Sequence, residues 1–275
     1  MHACNFEYDG QLLSDFGFIV CSFDTASDVS AVQTGSEISF ETAPVQRGKR
    51  FYNVGTQFKT CLSATFQICK DTSANDGDEM IITHADFRRL SRWLNRREFL
   101  WFHFFDLDVR PEVEQPWFRA SFTLTKIDFG SDTIGVELKM VTDSPFGYGQ
   151  PINKTLSFTA LEPSVVFRDQ NDEIGDTYPE LTITCDGSGT LTLSNDLTGC
   201  SFEVENCSAN EVLHLSGESM MISTDSVTHA LTLANDFNYD FFSFGNTYDT
   251  RENTITASIP CTVEISYRPI LKDTL

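Results

Sequence analysis

The sequence is short of positive charge. It carries 19 Lys and Arg against 40 Asp and Glu, a formal net charge of −21. Phosphate affinity comes from Lys and Arg, so this balance argues against a protein that grips nucleic acid. It favours solubility, and an acidic wall repels DNA. Long apolar runs are also missing. No stretch reaches the ~18 apolar residues of a membrane-spanning helix, so no membrane contact is expected. The opening MHACNFEYDG has neither the basic nor the apolar segment of a secretory signal. The usual catalytic signatures (GxSxG, HExxH, Walker, GxGxxG) do not occur. The five histidines are scattered, and Gly187-Ser188-Gly189 reads as a hairpin turn. His103 lies within an aromatic run and reads as a packed core residue. No catalytic, cofactor-binding or metal-ligating residue is expected. The acidic loop 71–79, with Asp76, Asp78 and Glu79, lacks the order of a calcium-binding EF-hand loop.

None of the eight cysteines forms CxxC or lies near a histidine at zinc-ligand spacing. Most fall in strand-like runs such as TCLSATFQICK and PELTITCDG. They read as small buried hydrophobes in a reduced protein rather than as a disulfide framework.

Apolar content of 40% is ample for a core, and 24 Phe suggest large apolar contact surfaces, internal or between subunits. One stretch, THADFRRLSRWLNRREFLWFHFF (83–105), carries a helix pattern. Thr83 with Asp86 three residues on reads as a capped start. Phe87, Leu90 and Leu94, flanked by Trp93, fall on one side of a helix over about 84–97. Arg88, Arg89, Arg92 and Arg96 fall on the other. These arginines are either a solvated face or a local reversal of sign that docks an acidic neighbour, most simply another copy of the chain. The aromatic run 99–105 has no helical stripe and reads as a strand buried on both faces.

Around this unit the chain alternates in β fashion. Residues 5–23 read as strand, turn at Asp9-Gly10, strand. A polar loop covers 24–35. The segment TAPVQRGKRFYNVG (42–55) holds Arg47, Lys49 and Arg50 and reads as a long hairpin arm or as a mobile loop. SPFGYGQP (144–151) is dense in Pro and Gly and marks a boundary between a domain at 1–147 and another at 148–275. Beyond it no helix pattern appears. Alternating stretches every 8–12 residues, from NKTLSFTA to HALTLAND and CTVEISYRP, predict an antiparallel β-sandwich.

In order, then, come an FxYDGxxxxDFGF hairpin, a strand-rich module with the FRRLSRWLNRREFLWF helix–strand unit, an SPFGY junction, and a sandwich closing on NTITASIPCTVEISYRP. This plan resembles the distal tail proteins of long-tailed, non-contractile bacteriophages, in their short form. Its most specific parts are Asp15-Phe16-Gly17, Arg92-Trp93-Leu94, and Asn253 with Tyr267-Arg268-Pro269.

The resemblance implies a mainly β fold: an N-terminal β-rich ring ("belt") domain with one α-helix, plus a C-terminal galectin-like antiparallel β-sandwich. It implies a structural virion protein at the distal end of the tail, made in the host cytoplasm. Six copies would form each ring around the channel through which DNA passes, in one ring or two stacked rings. The ring would join the tail tube protein to the tail-tip fibre or lysin protein, with receptor-binding proteins as further partners. Arg88, Arg92 and Arg96, with Arg47, Lys49 and Arg50, are the expected interface residues. The acidic excess suits a channel wall along which DNA slides, if the acids face inward. The alternative is a carbohydrate-binding receptor module or glycan hydrolase on the virion surface. Against it, Trp93, Trp101 and Trp117 all precede the sandwich, which therefore lacks a Trp platform for sugar stacking.

Overall fold

Residues 3–23, 37–75, 80–106 and 115–272 are described by the computed structural model. The chain divides into two compact units, Met1–Gly149 with Leu271–Leu275, and Gln150–Ile270.

The strands of the first unit are β1 (Ala3–Tyr8), β2 (Gln11–Leu12), β3 (Phe18–Cys21), β4 (Ile38–Val45), β5 (Arg50–Phe58), β6 (Ser63–Lys70), β7 (Leu100–Asp106), β8 (Trp117–Phe129), β9 (Asp132–Thr142) and β10 (Gly147–Tyr148). Helix α1 (His84–Leu94) lies between β6 and β7. The main sheet runs β2-β1-β7-β8-β9-β6-β3, antiparallel throughout. Alternation selects its inner face: Phe118, Ala120 and Phe122 on β8, and Val136, Leu138 and Met140 on β9, are buried. β7 buries Phe102 and Phe104 on that face, and His103 on the other. His103 stacks on Trp117 at 4.6 Å and its Nδ1 lies 3.2 Å from the Pro116 carbonyl, as a packed core histidine should.

α1 starts as its sequence dictates. Thr83 Oγ1 accepts from the Asp86 amide, and the Asp86 carboxylate accepts from the Thr83 amide at 3.0 Å. Leu90, Trp93 and Leu94 are buried against the sheet. Burial of such side chains contributes about 1.5–3 kcal/mol each before entropy is subtracted. The buried Lys70 adds a bond from the end of β6 to Asp86 at 3.1 Å. Burial pushes the Asp86 carboxyl up, but the Thr83 hydrogen bonds and Lys70 outweigh it and hold it below the ordinary value of 3.8. The folded carboxyl therefore binds its proton later than the unfolded one. This contribution to stability is complete above pH 3.8 and is lost as pH falls through the depressed value. Asp86→Asn should therefore flatten the acid limb of a stability–pH curve, measured by urea denaturation.

Two motifs singled out in the sequence meet here. The turn at Asp9-Gly10 has both residues at positive φ (53° and 71°), which suits a two-residue hairpin. Asp15-Phe16-Gly17 closes a short 3-10 turn in which Gly17, at φ 77°, reverses the chain. Phe16 then stacks on Trp93 with ring centroids 4.2 Å apart.

The second unit contains β11 (Ile152–Phe158), β12 (Ser164–Arg168), β13 (Gly175–Thr177), β14 (Glu180–Cys185), β15 (Gly189–Asn195), β16 (Ser201–Cys207), β17 (Val212–Ser216), β18 (Met221–Thr224), β19 (Phe244–Asn246), β20 (Glu252–Ala257) and β21 (Cys261–Tyr267). A last short strand, β22 (Ile270–Leu271), ends the described chain. Sheets β11-β21-β14-β17-β18 and β12-β20-β15-β16 share one apolar core, which makes an antiparallel sandwich. Asn253 is fully buried: its amide donates to the Gly245 carbonyl at 2.9 Å and its oxygen accepts from Gly245 N and Asn195 Nδ2. Tyr267 packs on Phe244 at 4.8 Å.

The structure corrects three expectations. The helix stops at Leu94, not 97. HALTLAND is not a strand: His229–Leu231 forms a 3-10 turn and α2 (Leu233–Asp236) a single helical turn. His229 and Leu233 are buried while Leu231 is exposed, which a strand's period of two cannot produce. Among the cysteines, Cys185, Cys200, Cys207 and Cys261 are buried free thiols, but Cys61 is exposed. The expected loop at 24–35 and the acids Asp76, Asp78 and Glu79 lie outside the described residues.

Candidate functional site

The arm segment is a paired hairpin, and it is longer than its sequence suggested. β4 and β5 form a two-stranded sheet of their own, joined by a turn in which Arg47 and Gly48 take positive φ (59° and 81°). Lys59 Nζ meets the Glu37 carboxylate at 2.6 Å at the base, and Phe58 packs edge-on against Phe146 at 4.7 Å. The register pairs Ile38 with Phe58, Phe40 with Thr56 and Pro44 with Phe51. Paired residues share a face, so Ile38, Phe40 and Phe51 lie on one side of the ribbon. Val54 is the extra residue of a bulge. Phe40 and Phe51 are 63% and 64% exposed, with Tyr52 and Val54 similar. A two-stranded ribbon with such apolar faces is marginal alone and marks an interaction surface.

The expected basic residues divide. Arg47, Lys49 and Arg50 come together, exposed, at the hairpin tip. Arg88 and Arg92 are exposed on α1. Arg89 lies over the Phe16 ring, 4.5 Å from its centroid. Arg96 is not on the helix. Asn95 leaves helical geometry at ψ 80° and its amide donates to the Phe122 carbonyl at 2.8 Å. Arg96 then turns back, donating to the Trp93 carbonyl at 3.1 Å, with its guanidinium 3.6 Å from Asp9.

Sequence reasoning missed two features of the sandwich. A groove of about 410 Å³ is lined by Arg168, Arg251, Glu252, Asp249 and Tyr248, the last 94% exposed. At another place the ligating atoms of buried Cys207, Glu211 and His229 all lie within 4.8 Å of one another. Glu211 and His229 are 18 residues apart, across strands β17 and β18, so no local spacing announces the pairing.

Two family models match. One, described as a phage tail protein N-terminal domain, covers residues 1–144, and the other, a phage tail C-terminal domain, covers 146–267. The chain belongs to this phage tail protein family. Phe16, Trp93, Asn253 and Tyr267, from the motifs singled out in the sequence, are used inside the fold. No curated protein matches the chain. Among solved structures it is similar to the Dit (gp 19.1) protein of phage SPP1, described as a paradigm of the hub adsorption apparatus in phages infecting Gram-positive hosts. The identity is 16%, the TM-score 0.63, and 96% of this chain and 98% of that chain are covered. This phage tail protein therefore has the Dit fold over 96% of its length, and it is mostly β.

Proposed function

We propose that the protein is the ring-forming hub of a phage tail tip. Six N-terminal units per ring, in one ring or two stacked rings, surround the DNA channel and join the tail tube to the tip fibre or lysin protein. The sandwich, galectin-like in this reading, projects outward and offers a mount for receptor-binding proteins. The exposed apolar hairpin β4–β5 carries the reading, because a protruding ribbon that leaves Phe40 and Phe51 in solvent calls for a neighbour. A head-to-tail contact that closes makes a ring. Whole-chain likeness to a hub protein supports the same assignment. Gold-labelled antibody against the chain should bind intact particles at the tail end away from the head. Label along the tube or on the head contradicts the proposal.

Arg88 and Arg92 are the helix residues assigned to the subunit contact. Arg92→Glu should leave the monomer's stability within about 0.5 kcal/mol of the parent, since the side chain is exposed. It should weaken assembly in light scattering. Unchanged assembly would remove α1 from the interface.

The groove beside Tyr248 favours a second reading, in which the sandwich binds glycans. An exposed aromatic ring with flanking carboxylates and arginines is the minimum for sugar stacking and hydroxyl recognition. A glycan array without hits leaves the scaffold role alone.

A further inference from the structure

The Cys207–Glu211–His229 cluster lies in the sandwich, on turns that their own hydrogen bonds hold in place. Cys207 ends β16 just after Asn206, which is at positive φ (58°), and the turn that follows returns to β17 with Asn210 also at positive φ (65°). The Cys185 carbonyl accepts from Asn210 N at 2.7 Å, and Cys185 N donates to the Glu211 carbonyl at 2.9 Å. That ties the end of β14 to this turn. The Cys207 thiol lies 3.5 Å from the Val204 carbonyl.

The acid is equally fixed. The Glu211 carboxylate accepts from Ser208 N at 2.8 Å and from Thr224 Oγ1 at 2.6 Å, and its Oε1 lies 2.5 Å from His229 Nδ1. On the far side of the imidazole, His229 Nε2 faces Asp236 Oδ2 at 3.5 Å. Both of those atoms are buried, and neither has a hydrogen-bond partner among the described residues. Asp236 is itself held by Asn206 Nδ2 at 3.0 Å.

We propose that Cys207, Glu211 and His229 hold a structural zinc ion, with Asp236 orienting the histidine. A proton on Nε2, aimed at Asp236, satisfies both orphaned atoms and leaves the Nδ1 lone pair free on the Glu211 side. A carboxylate behind the imidazole is the usual support for a metal-binding histidine. Thiolate, imidazole and carboxylate together select zinc over calcium or magnesium. Tetrahedral zinc needs neighbouring N, O and S ligands about 3.3–3.6 Å apart, inside the 4.8 Å span of this cluster. The ion replaces the Glu211–His229 hydrogen bond, so those two atoms part by about 1 Å, and the Cys207 thiol proton goes to solvent as the metal enters. All three ligands are buried, out of reach of a substrate, so the ion is a staple between turns rather than a catalytic centre.

The full chain is loaded with zinc, dialysed into metal-free buffer, and its metal counted by plasma mass spectrometry. One zinc per chain is expected. The cobalt form should show a thiolate charge-transfer band, and a chelator should lower the sandwich transition by roughly 5–10 °C. Zinc should be lost in Cys207→Ser and His229→Gln and kept in Cys61→Ser. Asp236→Asn removes no ligand and should weaken zinc binding by about 10–100-fold. No bound zinc and a melting curve indifferent to zinc or chelator would overturn the proposal. So would zinc retained by both ligand variants if they remain folded. If they do not fold, unaltered affinity in Asp236→Asn together with a cobalt spectrum lacking the thiolate band would do the same.

Discussion

Replacing Ile38, Phe40 and Phe51 together by serine is expected to abolish ring assembly while leaving the monomer folded. The three side chains share one face of the β4–β5 ribbon and are 44%, 63% and 64% exposed in the single chain. They contribute little to its own core. Full burial of such a side chain contributes about 1.5–3 kcal/mol, and these, already partly buried, gain roughly half of it on a neighbouring subunit, about 1 kcal/mol each. Three together give about 3 kcal/mol per contact. Every 1.4 kcal/mol is about tenfold in affinity, so the triple variant should associate at least ~100-fold more weakly. In a ring the loss recurs at every interface. Analytical ultracentrifugation should find only monomer at concentrations where the parent chain is assembled, and circular dichroism should find the same melting temperature. Assembly at parental concentrations would show that the ribbon's apolar face is not the contact.

Trp93→Ala should have the opposite signature, a damaged monomer. Trp93 is 4% exposed and stacks on Phe16 at 4.2 Å and on Phe6 at 5.7 Å. Its Nε1 donates to the Tyr8 carbonyl at 3.1 Å, in the first strand. One side chain thus fastens the helix to both the opening hairpin and the 3-10 turn. Truncation opens a cavity and deprives the Tyr8 carbonyl of its donor. Trp-to-Ala changes in cores cost about 3–5 kcal/mol. For a unit of this size that is a drop of about 10 °C or more in its melting transition. Calorimetry should show the loss in the N-terminal transition, with the sandwich transition in place. A drop of under ~3 °C would mean that Phe16 and Arg89 repack without it.

These two residues sets differ in how far the sequence disclosed them. Trp93 was legible because a period of 3.6 is local: Leu90 and Leu94 announce the buried face, and Thr83 with Asp86 announces the start. The end was less so. Asn95 stops the helix through a bond to Phe122, 27 residues away, and no local rule anticipates that partner. Alternation located nearly every strand of the sandwich, since each has one buried face. It failed at His229, which is drawn inward by Glu211 and not by its neighbours in sequence. The hairpin's basic tip was visible in Arg47, Lys49 and Arg50. Its apolar face was not, because alternation says which residues share a side, and only the fold shows that Phe40 and Phe51 on this side are exposed. The Cys207 cluster was hidden for the same reason as the Asn253 network: both join segments that lie apart in the sequence.

The most direct test of the ring is the mass of the purified protein by light scattering, across a concentration series at low and moderate salt. The predicted result is a discrete species of six copies of the 30.9 kDa chain, or of twelve. Moderate salt should weaken it only partly, because charge contacts are screened and apolar ones are not. A mass of one chain at every concentration and both salts would contradict a ring closed by the protein's own contacts.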